Sequence, residues 1–386
     1  MNSERIYLDY AATTPMRSEV SKVIADTARC CGLNPSSLHF EGRLARAALD
    51  DARDRVANVI GARRTEIIFT SGGTEANNLA LLGAAEAAAG RGHILASAIE
   101  HHAVLAALER LRERGYSIGL VPVDSAGRVD PQEFERRLTS DTFLASVMYA
   151  NNEVGTVQPV AELAAIARRR GVLFHTDAVQ APTWLPLSAG ELGADLLSIS
   201  GHKFYGPKGV GVLYVRDGVP LTPTIVGGGQ EGGRRSGTEN VPSIVGLATA
   251  LELAAAERPA AASLAAQLRD RLEAGICASV AGVRVNGAGA PRLPNQLNAS
   301  FDGVEAAELL IAADLAGIAV SAGSACTSGS LEPSHVLAAM GQQRAGGGIR
   351  FSLGTRTTAG EIDRVVEVLP SLIARLRNRA VSAVTS

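Results

Sequence analysis

Lysine is nearly absent from this sequence. Of 37 basic residues only Lys22, Lys203 and Lys208 are lysines, and the rest are arginine. Chemistry that needs a primary amine therefore has very few candidates. Aromatics are also scarce, at 4% of 386 residues, so a core must come from Ala, Val, Leu and Ile within an apolar share of 46%. Charge of one sign is missing too. A net charge of −2 gives no general surface for nucleic acid or an anionic membrane, and neither direct nucleic-acid binding nor membrane association is expected. No apolar run approaches the ~20 residues that cross a bilayer. Met1-Asn2-Ser3-Glu4-Arg5 lacks the basic-then-apolar pattern of an export signal, so cytoplasmic residence is expected. The only cysteines are Cys30, Cys31, Cys277 and Cys326. None shows C-x-x-C spacing, which argues against a zinc ribbon, and no metal site is expected. A chain this long without an export signal does not need disulfides, which leaves thiols free for chemistry.

Strand-like apolar runs occupy 66–70, 93–97, 143–149, 172–176, 195–200 and 209–215. Between them lie helical patterns such as 76–89, 103–114 and 160–170. Strands alternating with helices predict βαβ units and a mainly parallel sheet. A glycine-rich stretch at 227–237 precedes an Ala/Leu-rich helix over 242–257, and beyond Pro259 the pattern changes to that of a smaller α+β unit. The expected organisation is a large domain over 15–257 and a small one from 1–14 and 258–386. A frayed tail is expected over 380–386.

Four segments at strand ends carry candidate chemistry. Ser198-Ile199-Ser200-Gly201-His202-Lys203 puts a lysine at the end of a buried strand, where α/β folds place ligands. A Schiff-base lysine needs desolvation or nearby cations to be neutral, although an ordinary loop lysine is simply solvated. Asp177 ends another apolar run, where an acid is costly unless paired. It could protonate a pyridine nitrogen or cap a helix, and Gln180 follows it. Ser71-Gly72-Gly73-Thr74 joins strand to helix, a place where backbone N–H groups meet anions, but such turns are common. His101 opens a helix and could stack on a planar cofactor and move protons, or be a surface residue. Cys326 lies in a Gly/Ser-rich stretch and could be a nucleophile or an inert small hydrophobe.

Together these segments resemble the NifS/IscS cysteine desulfurases. The resemblance runs from Tyr7-Leu8-Asp9-Tyr10 through Asn34-Pro35-Ser36-Ser37, Glu100-His101, Asn151-Asn152-Glu153, Asp177–Gln180 and Arg235-Ser236-Gly237-Thr238. It continues through Ser324-Ala325-Cys326-Thr327 to Ile349-Arg350-Phe351-Ser352. It implies an α/β fold of the pyridoxal-phosphate fold type I, aspartate-aminotransferase-like, with a mainly parallel sheet and a smaller α+β domain. It also implies roles. Lys203 would carry pyridoxal 5′-phosphate, Asp177 would meet the ring nitrogen and Gln180 the ring oxygen. His101 would stack on the ring, and Asn152, rather than Asn151, would approach it. Gly73, Thr74, Ser200 and His202 would line the phosphate site. Arg350, assisted by Asn34, would clamp the substrate carboxylate. Thr238 would reach the phosphate of the other subunit, making a homodimer part of the active site.

Cys326 would accept sulfur from L-cysteine as a persulfide, release alanine and pass the sulfur to an acceptor protein. Iron–sulfur clusters, thiolated tRNA, other thiocofactors and phosphorothioate DNA all stay open as destinations. A selenocysteine lyase or small-molecule aminotransferase of the same fold is the nearest alternative, and a non-catalytic scaffold is the alternative of another class. The sequence departs from the family pattern in the short linker 342–348, in Thr355-Arg356 and in Gly201.

Overall fold

Both faces of the central strands are buried, so they read as continuous apolar runs rather than as alternation. In the computed structural model, which describes residues 5–88, 92–322, 334–342 and 347–384, the strands fall as follows. Those before residue 220 are Ile6–Tyr7 (β1), Ile67–Thr70 (β2), His93–Ser97 (β3), Ser117–Val121 (β4), Thr142–Ser146 (β5), Leu173–Asp177 (β6), Leu196–Ser200 (β7) and Gly211–Val215 (β8). The later ones are Val283–Asn286 (β9), Gln296–Phe301 (β10), Ile318–Ala319 (β11), Ser321–Ala322 (β12) and Ile349–Ser352 (β13).

A seven-stranded sheet has the order β2-β8-β7-β6-β5-β3-β4, and a four-stranded antiparallel sheet has the order β12-β13-β10-β9. In the larger sheet only β8 runs against its neighbours. Leu49, Phe174, Ile199 and Leu247 belong to a core on one side of it, and Leu79, Ile94, Leu108 and Leu213 to a core on the other. A further core joins Ile6 and Leu8 to Leu272, Phe351 and Leu369 around the smaller sheet. The N-terminal strand thus packs with the C-terminal third of the chain. No helix among the described residues is long and apolar enough to cross a membrane.

Most boundaries fall within two or three residues of expectation, with three departures. The edge strand β4 was not anticipated, because its short apolar run Ile118–Val121 is interrupted by Gly119 and followed by Pro122, and most of its residues are exposed or half-exposed. The expected helix 242–257 instead runs from Val241 to Ser279, straight through Pro259. Proline inside a helix loses a hydrogen bond and clashes with a preceding carbonyl, at ~3 kcal/mol or more. Here Val241–Ala254 supplies buried residues to one core, while Leu268, Leu272 and Ile276 belong to another. Burial at both ends outweighs the local penalty. The expected tail is also largely helical, since the last helix spans Ala359–Val384.

Parallel strands end on one edge of the sheet. The segments leaving β2, β3, β5, β6 and β7 at that edge carry residues 71–74, 98–101, 147–152, 178–180 and 201–203. Nearly all the candidate chemistry lies there.

Candidate active site

A cavity of about 370 Å³ opens at this edge. It is lined by Gly73, Thr74, His101, Asn152, Asp177, Gln180, Ser200, His202, Lys203 and Arg350, so ten sequence-predicted residues from distant segments meet in one place. Lys203 ends the single 3-10 turn Gly201–Lys203 after β7. Its Nζ donates to the carbonyls of Ala11 at 2.6 Å and Ala12 at 2.9 Å, and Gln180 Nε2 donates to the same Ala11 carbonyl at 3.1 Å. The N-terminal segment therefore forms one wall of the site.

Asp177 starts no helix. Its Oδ1 accepts the Val179 N–H at 3.0 Å, and its Oδ2 accepts from Asn77 Nδ2 at 2.6 Å. Asn77, 1% exposed, was not singled out from the sequence. At the opposite end, the helix Gly73–Ala87 begins directly on Gly72, whose φ of 152° is open to glycine. A Cβ on Gly73 would come within 2.8 Å of Val179 Cγ2, so the backbone lies close against the cavity. The first N–H groups of a helix lack intrahelical partners and favour an anion. An adjoining cavity, lined by Thr13, Ser71, Thr74, His202 and Lys208 among others, extends this end. Lys208 is a further cation at this end, one with no role expected from the sequence.

Two histidines are held neutral. Burial is the main cause that lowers His101, with Lys203, His102 and His335 adding to the effect and Asp177 opposing it. Its Nδ1 accepts the Ala103 N–H at 3.0 Å, capping the helix His102–Glu113, so the neutral ring carries its proton on Nε2. Burial, then Lys203 and Lys208, lower His202 to about 4, and its Nδ1 lies 3.0 Å from the Thr13 hydroxyl.

Glu100, fully buried beside His101, is the reverse case. Burial raises it to about 8, against hydrogen bonds from Ser97 and the Met148 N–H, with Asp177 adding to the rise. It is protonated at neutral pH in the folded chain, whereas its ordinary value is 4.5. Between those values the unfolded chain binds fewer protons, so this group's stabilisation is lost as pH rises from 4.5 to about 8. Glu100→Gln removes that titration. Its melting temperature is expected to gain on the parent's as pH rises from about 4.5 to about 8 and to level off above that, and a difference independent of pH would contradict the protonated state.

Arg350 lies on β13 with its side chain 3% exposed. Its Nη1 donates to the Asn152 carbonyl at 2.8 Å and its Nη2 to Asp9 Oδ1 at 2.7 Å. Its Nε–H is buried without a hydrogen-bond partner among the described residues. Asp9, 341 residues away in sequence, orients the guanidinium; it stood in the Tyr7–Tyr10 match but was given no role. Asn151 instead holds its own turn, its Oδ1 accepting from the N–H groups of Glu153 and Val154.

Two predicted residues are not brought to this cavity within the chain. Asn34 is exposed, and its Oδ1 accepts the Ser36 N–H at 2.9 Å. Thr238 is exposed and lines a smaller cavity with Ser71 and Arg235. Arg235 pairs with Glu75 at 2.7 Å, while Glu231 pairs with Arg53 at 2.6 Å and accepts the Phe69 N–H. The glycine-rich stretch is therefore tied to the phosphate end. Cys326 lies outside the described residues. On either side of its segment, Ser321 pairs with Arg350 and Ser334 donates to Glu153. His335 Nε2 donates to the Glu100 carbonyl at 2.9 Å, and its ring lies 4.9 Å from that of His102. Both flanks of the segment meet the site.

The donor set fits pyridoxal 5′-phosphate. An amine, a buried carboxylate with one side fixed by Asn77, and a helix N-terminus beside hydroxyls and cations face the cavity and the space that adjoins it. Comparison with known proteins agrees. The family described as Aminotransferase class-V matches residues 6–365. A cysteine desulfurase IscS of Dictyoglomus turgidum is 48% identical over 375 residues, covering 96% of this chain and 95% of that protein. A solved NifS-like protein superposes with a TM-score of 0.90 at 40% identity, covering 96% of this chain and 99% of that one. A structure described as SspA in complex with cysteine gives 0.81 at 35% identity, covering 92% and 100%.

Proposed function

The chain belongs to the class-V aminotransferase family and, within it, to the pyridoxal-phosphate-dependent cysteine desulfurases, and from that premise we propose that Lys203 holds the cofactor while Cys326 takes the sulfur of L-cysteine. When bound, pyridoxal phosphate supplies an electron sink for charge that develops on the substrate. Asp177, fixed by Asn77 and Val179, would accept a hydrogen bond from the ring nitrogen and so keep that nitrogen protonated. Gly73, Thr74, Ser200 and His202 would hold the phosphate, with Lys208 adding positive charge. His101 would stack on the ring, and Arg350 would bind the substrate carboxylate. Lys203, once freed from the cofactor, would take the α-proton of the substrate. The Cys326 thiolate then attacks the substrate sulfur. The new S–S bond forms as the substrate C–S bond breaks, the pair of that bond stays with the β-carbon, which takes up a proton, and once the α-proton is returned alanine leaves and the persulfide stays on Cys326. The sulfur next passes to an acceptor protein.

The observation that carries this reading is the convergence of Lys203, Asp177, His101 and Arg350 on one cavity. Alanine and sulfide release from cysteine, measured on the cofactor-loaded protein, tests it. Release of pyruvate, or no release, contradicts it.

A homodimer sharing its active sites is part of the same reading. Thr238 and Asn34 are exposed, and so are the apolar side chains Leu38 (90%), Phe40 (61%) and Val226 (79%), which a second copy would cover. Sedimentation is expected to show a dimer. Thr238→Ala is expected to weaken cofactor binding by several-fold, as loss of one phosphate hydrogen bond does. A fully active monomer contradicts the shared site.

A further inference from the structure

Ser146, His175 and Ser198 form a row across three adjacent strands, and none of the proposed steps uses them. All three are wholly buried. One imidazole nitrogen lies 2.8 Å from the Ser146 hydroxyl on β5, and the other lies 3.1 Å from the Ser198 hydroxyl on β7. One nitrogen donates and the other accepts, so the ring is satisfied without a charge. Burial keeps it neutral, lowering it to about 4.

The row lies directly beneath Asp177. His175 and Asp177 are two apart on β6, so their side chains share a face of the sheet. Ser198 is the cross-strand partner of Asp177, and Ser146 is that of His175. The Ser198 carbonyl accepts the Ala178 N–H at 3.0 Å, and the Asp177 carbonyl accepts the Tyr149 N–H at 2.9 Å. The imidazole thus links the side chains of the two strands that flank Asp177, just where the backbone turns into the site.

We propose that His175 is a positioning residue that fixes Asp177 toward the cofactor's ring nitrogen by tying β5 and β7 together through Ser146 and Ser198. This rests on the assignment of Asp177 above. Because the imidazole is neutral, it adds no cation to compete for the carboxylate. Val179 and Asn77 hold the carboxylate from the turn and from the helix Gly73–Ala87, and the His175 row supplies the support from below. An apolar side chain of similar size would fill the space but leave two buried hydroxyls unpaired. Outer partners of a liganding side chain typically change ligand affinity by ~10–100-fold in metal sites, and an effect toward the lower end is expected here.

The test uses His175→Leu, His175→Gln, Ser198→Ala and Asp177→Asn in the full chain. Each is prepared without cofactor and titrated with pyridoxal phosphate, following affinity, visible absorbance with pH, and the melting temperature before addition. His175→Leu and Ser198→Ala are expected to bind about tenfold more weakly and to shift the pH midpoint of the visible band. His175→Gln, which keeps a donor and an acceptor, should recover most of both. Wild-type affinity and band in His175→Leu would overturn the proposal. So would an affinity loss in His175→Leu and His175→Gln that simply follows melting temperature, since that is a structural effect alone. If His175→Leu does not fold, Ser198→Ala decides by the same two readouts. Asp177→Asn with unchanged affinity and absorbance would instead refute the assignment of Asp177, which separates the two failures.

Discussion

Lys203→Ala is expected to lose alanine release from cysteine almost completely. The chain has only three lysines, and Lys203 is the one that lines the cavity with Asp177 and Arg350. Lys208 borders the adjoining phosphate-end cavity, and Lys22 lies in the helix Ser18–Cys30, so no neighbour can substitute. Removal of a positioned general base alone lowers rates by ~10²–10⁴-fold, and Lys203 also forms the covalent link to the cofactor. The fold should survive. The amine's bonds to Ala11 and Ala12 join a segment that β1 and the Leu8 N–H already hold by pairing with the strand at Ile318–Ala319. The phosphate end, built from the helix start, Ser200 and His202, is intact in the variant, so cofactor should still bind, without the parent's visible absorbance. Near-normal alanine release would contradict the role of Lys203.

The strand ends were legible because a charged group at the end of a buried run is costly unless something pairs with it. An acid after Phe174-His175-Thr176 and a lysine after Ser198-Ile199-Ser200 both follow buried runs, and the βαβ rule sends those ends to one edge. Asn77 was not legible. In an Ala/Leu-rich helix the pair Asn77-Asn78 looks like the solvated side, and only the packing of that helix over β6 turns Asn77 toward Asp177. Asp9 escaped for the same kind of reason, since its partner Arg350 is 341 residues away. The His175 row was hidden because serine in a strand carries no local signal of a hydrogen-bonded neighbour. The helix through Pro259 marks a different limit, where burial at both ends overrides a strong local breaker.

Cys326→Ser is expected to abolish persulfide formation while leaving substrate binding intact. The change is nearly isosteric, and the cavity residues that meet cofactor and carboxylate are elsewhere in the chain. Cysteine should therefore still perturb the cofactor's absorbance in the variant. A hydroxyl cannot hold transferable sulfur, so turnover to sulfide should fall to background. The other thiols serve as controls. Cys30 and Cys277 are exposed and Cys31 is half-buried, with the Cys30 and Cys31 sulfurs 3.2 Å apart. None of the three lines the cavity, and replacing each should leave turnover within a few-fold, as surface changes away from a site usually do.

Peptide mass spectrometry after incubation with cysteine under non-reducing conditions tests the central claim most directly. The parent protein should carry one added sulfur on the peptide containing Cys326, and the Cys326→Ser protein should carry none there. Added sulfur confined to the Cys30–Cys31 or Cys277 peptide, or wild-type turnover by Cys326→Ser, would contradict the assignment of Cys326 as the sulfur acceptor.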